Sequence, residues 1–219
     1  HFQERIGSDL AVILDVPTGG YATYKQAQTT VEETIRRAKE SISLRTKSDI
    51  LWVAPVQGGT HTDLVADSAK QLSQLDFSLF ALGSPTQLME KYQFGQLVDL
   101  VLAAKRNLPN QKPIHLFGAG HPMIFPLIVA MGCDMFDSAA YALYAQNDRM
   151  LTSEGTYRLQ EVQEDFCYCP ACRKFTISEI KKLEKQIKEA EDKKSSELFR
   201  LKSECDIKVQ EATRELVEI

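Results

Sequence analysis

The feature that most constrains the fold of this chain is the regular alternation, up to about residue 160, of short apolar runs with longer amphipathic stretches. The first run has the continuous apolar character of a buried strand, and the stretch after it repeats apolar side chains with helical spacing. The predicted strands are residues 10–14, 50–55, 77–82, 114–117 and 133–136, and the predicted helices are residues 24–42, 62–75, 87–105 and 123–131. Strands that alternate with helices of this length form βα units, so the sequence predicts an α/β fold with a parallel sheet of about five strands.

Polar residues or glycines follow each predicted strand at its carboxyl end. They are Asp15, Gln57 with Gly58 and Gly59, Gly83, residues 118–121, and Asp137. Parallel strands present their carboxyl ends at one edge, where loops and helix N-termini form the sites of α/β proteins. We therefore expect a functional site built from these widely separated residues.

Three of the polar residues have more than one plausible role. Asp15 and Asp137 both end apolar runs, and either carboxylate can serve as a helix N-cap. The alternative for Asp137 is a nucleophile that attacks a sugar carbon and forms a covalent intermediate, because the small residues after it leave room for a substrate. His121 lies just before the predicted helix of residues 123–131, where it either caps the helix, binds phosphate or acts as a catalytic base.

Three cysteines within six residues give the most specific local signal. Cys167, Cys169 and Cys172 lie around Pro170, and three thiolates on such a turn can converge on one tetrahedral zinc ion. The alternative is a cluster of free thiols, which would be prone to oxidation. Cys205 is the candidate for the fourth ligand, and its alternative role is that of a small apolar residue in a helix core. The sequence thus predicts a Zn2+ site.

From about residue 175 the composition changes to lysine and glutamate with interspersed isoleucine and leucine, and glycine and proline disappear. Apolar residues repeat with helical spacing, lose phase at residues 193–196 and resume after them. Two helices joined by a turn, or one broken coiled coil, both fit this pattern. We therefore divide the chain into an α/β domain, residues 1–160, and a zinc-binding subdomain with a helical tail, residues 161–219.

The charge and hydropathy of the chain limit its partners. The formal net charge is -4 and the isoelectric point is near 5.7, so a nucleic acid would have to meet a local basic patch. The longest apolar run, residues 123–131, is far shorter than the roughly 18–20 residues of a membrane-spanning helix, and no signal peptide opens the sequence. These features predict a cytoplasmic protein without a membrane partner.

Five segments, taken together, resemble one known family, the archaeal tRNA-guanine transglycosylases. They are IGSDLAVILDVPT (6–18), VQGG (56–59), LMEKYQF (88–94), HLFGAGHPMIF (115–125) and MGCDMFDSAAYALYA (131–145). The resemblance extends in order and spacing over about residues 1–177. It implies a TIM-type (β/α)8 barrel with a zinc-binding subdomain, and an enzyme that exchanges guanine in tRNA for a 7-deazaguanine base. Residues 1–160 would then be a partial (β/α) barrel that forms the catalytic domain. In the archaeal branch that base is 7-cyano-7-deazaguanine, inserted in the D-loop during archaeosine biosynthesis.

The resemblance also implies roles for individual residues. Asp137 matches the nucleophile that attacks the ribose, expels guanine and holds the tRNA covalently. Asp15 matches the carboxylate that recognises the N–H edge of the base, Gln57 matches a side chain that contacts its carbonyl, and Gly83 lies in the loop whose backbone lines the base pocket. The three clustered cysteines match three of the four zinc ligands. The family's fourth ligand is a histidine, and Cys205 is expected to take its place.

The family carries its first barrel strands, and an Asp-Ser-Gly motif, ahead of the region that this sequence matches. Because about five strands cannot close an eight-stranded barrel, we expect a fragment, one half of a split enzyme, or a subunit completed in a homo-oligomer or by a complementing chain. The expected partners are thus tRNA, the 7-deazaguanine base and such a second chain. An alternative function is that of a non-catalytic subunit that docks tRNA or the catalytic chain.

Overall fold

The computed structural model of the protein describes residues 2–83, 86–163 and 173–217, and in the last range it describes the side chains of residues 173–201, 203 and 204. The chain forms two compact units, His1–Thr156 and Tyr157–Ile219. The first contains a parallel sheet and the second a long helix. The functional roles assigned to residues 1–160 and 161–219 stay predictions.

A five-stranded parallel sheet organises the first unit. Its strands are β1 (Leu10–Val12), β2 (Leu51–Val56), β3 (Leu79–Leu82), β4 (Ile114–Leu116) and β5 (Met135–Phe136). They lie in the order β1-β2-β3-β4-β5, so each strand pairs with the next one along the chain. A doubly wound sheet reverses its strand order at a switch point, whereas a (β/α) barrel keeps the sequential order. The α/β class and the parallel sheet are confirmed, and the strand order is compatible with part of a barrel.

Helices follow the strands and cover one face of the sheet. They are α1 (Phe2–Ile6), α2 (Tyr24–Ser43), α3 (Thr62–Ser73), α4 (Thr86–Glu90), α5 (Phe94–Lys105), α6 (Phe125–Ala130) and α7 (Ala140–Ala145), with a 3-10 turn, Pro122–Ile124, before α6. A two-stranded sheet of β6 (Arg149–Thr152) and β7 (Gly155–Arg158) comes next, and the last helix is α8 (Ile177–Val217). The sequence did not predict α1, α7, β6 or β7, which are all six residues or shorter.

The first turn of α2 shows how the sequence starts these helices. Thr23 and Gln26 form a capping box, in which the Gln26 N–H donates to Thr23 Oγ1 (3.4 Å) and the Thr23 N–H donates to Gln26 Oε1 (2.9 Å). The buried apolar stripe behind this cap consists of Ala27, Val31, Ile35 and Ala38. Their three- and four-residue spacing puts them on one side of the helix, which packs in the main core.

The two faces of the sheet have different surroundings. One set of alternate strand residues, which includes Val56, Leu82 and Leu116, is buried together with the helices in the main core. The residues between them point to the opposite face, where they form a small separate cluster around Val53, Leu79 and Ala81. Because successive strand residues alternate between the faces, the residue after each helix-facing one points to the helix-free face.

The prediction of one helix over residues 87–105 is wrong in one respect, because the structure has two helices there, α4 and α5. The Tyr92 N–H donates to the Met89 carbonyl (3.0 Å) and the Gln93 N–H donates to the Leu88 carbonyl (2.8 Å), which is the hydrogen-bond pattern of a Schellman motif. Tyr92 adopts the left-handed conformation that this motif requires, with φ 55°. Glycine is the usual residue there, so a tyrosine gives no sequence signal that α4 ends.

Residues 177–217 form one continuous helix, α8, which runs through residues 193–196 without a break. Thr176 precedes it, and its backbone N–H donates to Glu179 Oε2 (2.8 Å) while its hydroxyl accepts from the Glu179 N–H (3.3 Å). The loss of apolar phase near residue 195 therefore does not interrupt the backbone. Within the described residues, no helix combines the length and the apolarity needed to cross a membrane.

Candidate active site

The predicted site residues of β2, β3 and β5 lie in one row across the sheet. The last helix-facing residues of β2 to β5 are paired in register, and the residues after them are Gln57, Gly83, Phe117 and Asp137. The Gly83 N–H donates to the Val56 carbonyl (3.0 Å) and the Phe117 N–H donates to the Leu82 carbonyl (3.4 Å), so the backbone ladder continues into this row. The alternation along each strand turns the row toward the helix-free face, at the carboxyl ends of the strands.

Asp15, Gln57 and Gly83, here called the Gln57 cluster, are in direct contact. Gln57 is 2% exposed, its Nε2 donates to Asp15 Oδ2 (2.6 Å), and its Oε1 accepts from the Thr18 N–H (3.0 Å). A Cβ at Gly83 would lie 2.5 Å from Gln57 Nε2, so only glycine leaves room for this amide. An amide nitrogen carries two hydrogens, so the bond to Asp15 uses only one N–H of Gln57. The structure thus brings together the three residues that the resemblance assigns to the base.

Side chains of α2 hold the loop that contains Asp15 in place. The Val16 N–H donates to Thr34 Oγ1 (3.0 Å), and Arg37 Nη1 donates to the Asp15 carbonyl (3.3 Å). The N-cap of α2 is Thr23, so Asp15 does not cap that helix. Its carboxylate is therefore available to the site rather than used to start a helix.

Asp137 is held by two donors on one oxygen. His115 Nε2 lies 2.9 Å from Asp137 Oδ1, and the Gly118 N–H donates to the same oxygen (3.2 Å). The first N–H of α7, that of Ala140, is bonded instead to Ser138 Oγ (2.9 Å). Asp137 is thus not the cap of α7, and its side chain is 59% exposed. A carboxylate in this state can act as a nucleophile.

A cavity of about 540 Å³ opens beside Asp137. Other described residues that line it include Tyr92, His121, Tyr144 and Arg149. The Arg149 guanidinium carbon lies 5.3 Å from the centroid of the Tyr144 ring, which places a cation in the cavity wall. The Gln57 cluster does not line this cavity. Three strand spacings of about 4.8 Å separate Gln57 from Asp137, roughly 14 Å along the row.

His121 caps the turn before α6. Its Nδ1 accepts from the Met123 N–H (3.2 Å), so its hydrogen is on Nε2, which lies 2.9 Å from Thr156 Oγ1. Burial lowers the pKa of the His121 imidazole below its ordinary value, which favours the neutral ring. Both ring nitrogens are occupied, so this geometry favours the capping role over that of a catalytic base.

Sequence reasoning missed two residues of this edge, His115 and Phe117. Both lie in or just after β4 on the helix-free face, and their rings contact edge to face with centroids 4.7 Å apart. The available signal is the alternation of Ile114 and Leu116, both buried, with a histidine between them. A polar residue between two core positions of a strand points to the opposite face, here that of Asp137.

The predicted zinc ligands Cys167, Cys169 and Cys172 lie outside the described residues, and so does the side chain of Cys205. Among the described residues, no group of three or more histidines, cysteines or acids has the arrangement of a metal site. The fifth cysteine, Cys133, is buried as a free thiol in the main core. The zinc site therefore stays a prediction.

The sequence profile of the family described as queuine tRNA-ribosyltransferase matches residues 1–190. A tRNA-guanine(15) transglycosylase of Methanococcus aeolicus is 46% identical over 190 residues, which are 84% of this chain and 29% of that protein. The protein of the same name from Pyrobaculum aerophilum is 48% identical over 83% of this chain and 37% of its own length. The one from Aeropyrum pernix is 45% identical over 84% and 36%.

The chain spans less than two fifths of the length of these three relatives. The match of this chain to the family profile covers the whole row from Gln57 to Asp137. These matches show that the chain belongs to the queuine tRNA-ribosyltransferase family, among its archaeal tRNA-guanine transglycosylases.

Proposed function

We propose that this chain supplies the base-binding and nucleophilic part of a tRNA-guanine transglycosylase. In this proposal the enzyme replaces guanine in the D-loop of tRNA by 7-cyano-7-deazaguanine, in archaeosine biosynthesis, and acts in the cytoplasm where tRNA is found. The observation that carries the proposal is the row at the carboxyl ends of β2 to β5, with a hydrogen-bonding amide at Gln57 and a carboxylate at Asp137.

The exchange needs one nucleophile and no external energy source. Asp137 Oδ2 attacks C1′ of the target ribose, and the bond from C1′ to guanine N9 breaks with its electron pair on the leaving base. An aspartyl–ribose ester then holds the tRNA. The expelled guanine takes up a proton, and the incoming base loses the proton on its N9. This base attacks C1′, the ester bond breaks, and the carboxylate of Asp137 is regenerated. Because a glycosidic bond is present before and after, the reaction is nearly balanced in energy.

The Gln57 cluster accounts for the choice of base. Asp15 Oδ1 can accept from the N–H groups of a guanine-like edge, and the remaining Gln57 N–H can donate to the base carbonyl. An adenine edge would leave these buried polar groups unpaired, which is the kind of mismatch that sites reject most strongly. The Phe117 ring, which lies in the row between Gly83 and Asp137, offers a flat apolar surface for the same base.

The sheet belongs, in this proposal, to a (β/α)8 barrel. β1 and β5 are the outer strands, and Leu10 in β1 is 42% exposed. Unpaired strand edges and exposed apolar side chains are stabilised by further strands. Those strands come from elsewhere in the same protein, from a second copy, or from a complementing chain. The available carboxylate of Asp137 favours an enzyme over a subunit that only docks tRNA.

A zinc ion completes the proposal. Cys167, Cys169 and Cys172, with Cys205 as the fourth ligand, form a sulfur donor set that fits tetrahedral zinc. Bound zinc would stabilise the fold of this cysteine segment, and no part of the exchange depends on it. Metal analysis of the purified protein should give one zinc per chain. A Cys205→Ala variant that keeps both its zinc and its melting temperature would exclude Cys205 as a ligand.

The deciding experiment measures incorporation of radiolabelled guanine into tRNA by the full-length protein, with denaturing gels to detect the covalent tRNA complex. Asp137→Asn should lower exchange by more than about 10³-fold and remove the covalent complex, because an amide does not form the ester. Asp67→Asn makes the same change on the exposed side of α3 and should leave both signals unchanged. A covalent complex that survives Asp137→Asn would contradict the proposal.

A further inference from the structure

His115 lies on β4 with its side chain on the helix-free face, 17% exposed. Its Nε2 is 2.9 Å from Asp137 Oδ1. An ionised carboxylate only accepts hydrogen bonds, so the hydrogen of the imidazole is on Nε2. The ring therefore donates directly to the carboxylate proposed as the nucleophile.

The imidazole has a fixed position because the sheet holds it. In the register of the sheet His115 lies opposite Ala81 on β3 and Met135 on β5, and its ring makes an edge-to-face contact with the ring of Phe117. A side chain on a central strand keeps its place more closely than one on a loop. Asp137, by contrast, follows a strand of only two residues and is mostly exposed.

The two donors make the two carboxylate oxygens of Asp137 different, because both of them bond the same oxygen. His115 Nε2 and the Gly118 N–H both bond Oδ1, and no described residue donates to Oδ2. Rotation of the carboxylate would break both bonds. We propose that His115 is a positioning residue, which anchors Oδ1 so that Oδ2 is presented to the ribose carbon. This inference rests on the proposed function.

The same bond is useful in both halves of the exchange. When Oδ2 forms its bond to C1′ and the guanine leaves, Oδ1 becomes the ester carbonyl and still accepts from His115 and Gly118. When the incoming base attacks C1′, the electron pair of the breaking ester bond returns to the carboxylate, and these donors stabilise the charge that develops. Loss of the His115 donor should therefore slow both formation and discharge of the covalent complex.

Two substitutions test the contributions of the His115 N–H and of the His115 ring separately. His115→Phe keeps the ring and its contact with Phe117 but removes the N–H, whereas His115→Gln replaces the ring and keeps an N–H near the position of Nε2. We expect His115→Phe to lower kcat by about 10–100-fold with KM for base and tRNA changed less than about threefold, since a positioning error affects the reacting step. His115→Gln should recover most of this loss.

His61→Phe is the matched control. His61 also has one ring nitrogen in a hydrogen bond, from Nε2 to the Ala22 carbonyl (3.1 Å), and one edge contact with an aromatic ring, that of Tyr24. Its substitution should leave kcat within about twofold of wild type. Melting temperatures of all variants report whether the fold is retained.

The outcomes distinguish this inference from the proposed function. Exchange by the wild type that is lost in Asp137→Asn but unchanged in His115→Phe would overturn the positioning role and leave the nucleophile in place. A better activity of His115→Phe than of His115→Gln would assign His115 to packing and overturn the inference as well. Exchange that survives Asp137→Asn would instead overturn the proposed function.

Discussion

A methyl group at Gly83 tests whether the Gln57 cluster is as tightly built as its distances indicate. The Cβ of Gly83→Ala would lie 2.5 Å from Gln57 Nε2 and 2.9 Å from both Cδ and Oε1 of the same amide. These separations are shorter than any stable contact, and Gln57 is 2% exposed, so its side chain has little space in which to move. Either the amide leaves its place or the strand ends shift.

The expected loss of stability in Gly83→Ala follows from the contacts that each of these two changes would break. Displacing the amide loses a hydrogen bond to the Asp15 carboxylate, about 1.5–3 kcal/mol, and one to the Thr18 N–H, about 1 kcal/mol. Shifting the backbone instead costs about 1–3 kcal/mol, as other overpacked cores do. The lower entropy of alanine in the unfolded chain offsets about 0.5 kcal/mol. We expect a net loss of about 2 kcal/mol, or about 4–8 °C in melting temperature for a protein of this size.

The assay is a thermal or urea melt of Gly83→Ala, Gln57→Ala and the double variant. Gln57→Ala removes the atoms that the new methyl group would meet, so Gly83→Ala should cost almost nothing in that background. The two changes should thus be coupled by about 2 kcal/mol. Gly95→Ala is the control, since its Cβ would meet nothing within 4 Å in α5 and alanine favours a helix by about 0.5–1 kcal/mol.

Additive costs in the double variant would refute this reasoning, and so would a Gly83→Ala protein that melts at the wild-type temperature. Either result would mean that the cluster can relax around a methyl group. The contact between Gly83 and Gln57 would then not explain why glycine occupies this position.

Three further predictions concern single groups. Asp15→Asn should lower kcat/KM for guanine by about 10–100-fold while the covalent tRNA complex still forms, measured by exchange kinetics and denaturing gels. Burial raises the pKa of the Cys133 thiol to about 11, so iodoacetamide at pH 8 should modify it only after unfolding, as read by peptide mass spectrometry. Burial lowers the pKa of His121 below its ordinary value of 6.5. As the pH falls, the unfolded state therefore binds the proton before the folded state does, and the free energy of unfolding should decrease below about pH 6.5. In urea melts, His121→Gln should flatten that dependence.

The elements were predictable from the sequence where the apolar period is unambiguous. The continuous apolar run of β3 and the helical stripe of α2 each determine the element that forms, because the wrong structure would expose those side chains. The end of α4 was not predictable. It depends on Tyr92 in a left-handed conformation, which the Leu88 and Met89 carbonyls stabilise through hydrogen bonds that leave no mark on the composition.

The site was predictable in its location and less so in its contacts. Strand ends identify Gln57, Gly83 and Asp137 because parallel strands finish at one edge. The partner of Asp137 depends in addition on register. Leu116 pairs with Phe136, which aligns Asp137 with the residue after Leu116 and puts it on the same face as His115.

A shift of β5 by one residue would turn Asp137 toward the helices and bring Phe136 to the face of His115. The apolar side chain of Phe136 opposes that shift, since it stacks on Phe125 with ring centroids 4.7 Å apart and packs against the main core. The packing of this ring therefore fixes the face on which the carboxylate lies. The role proposed for Asp137 depends on a core contact one residue away, and no motif that contains only the polar residues would reveal it.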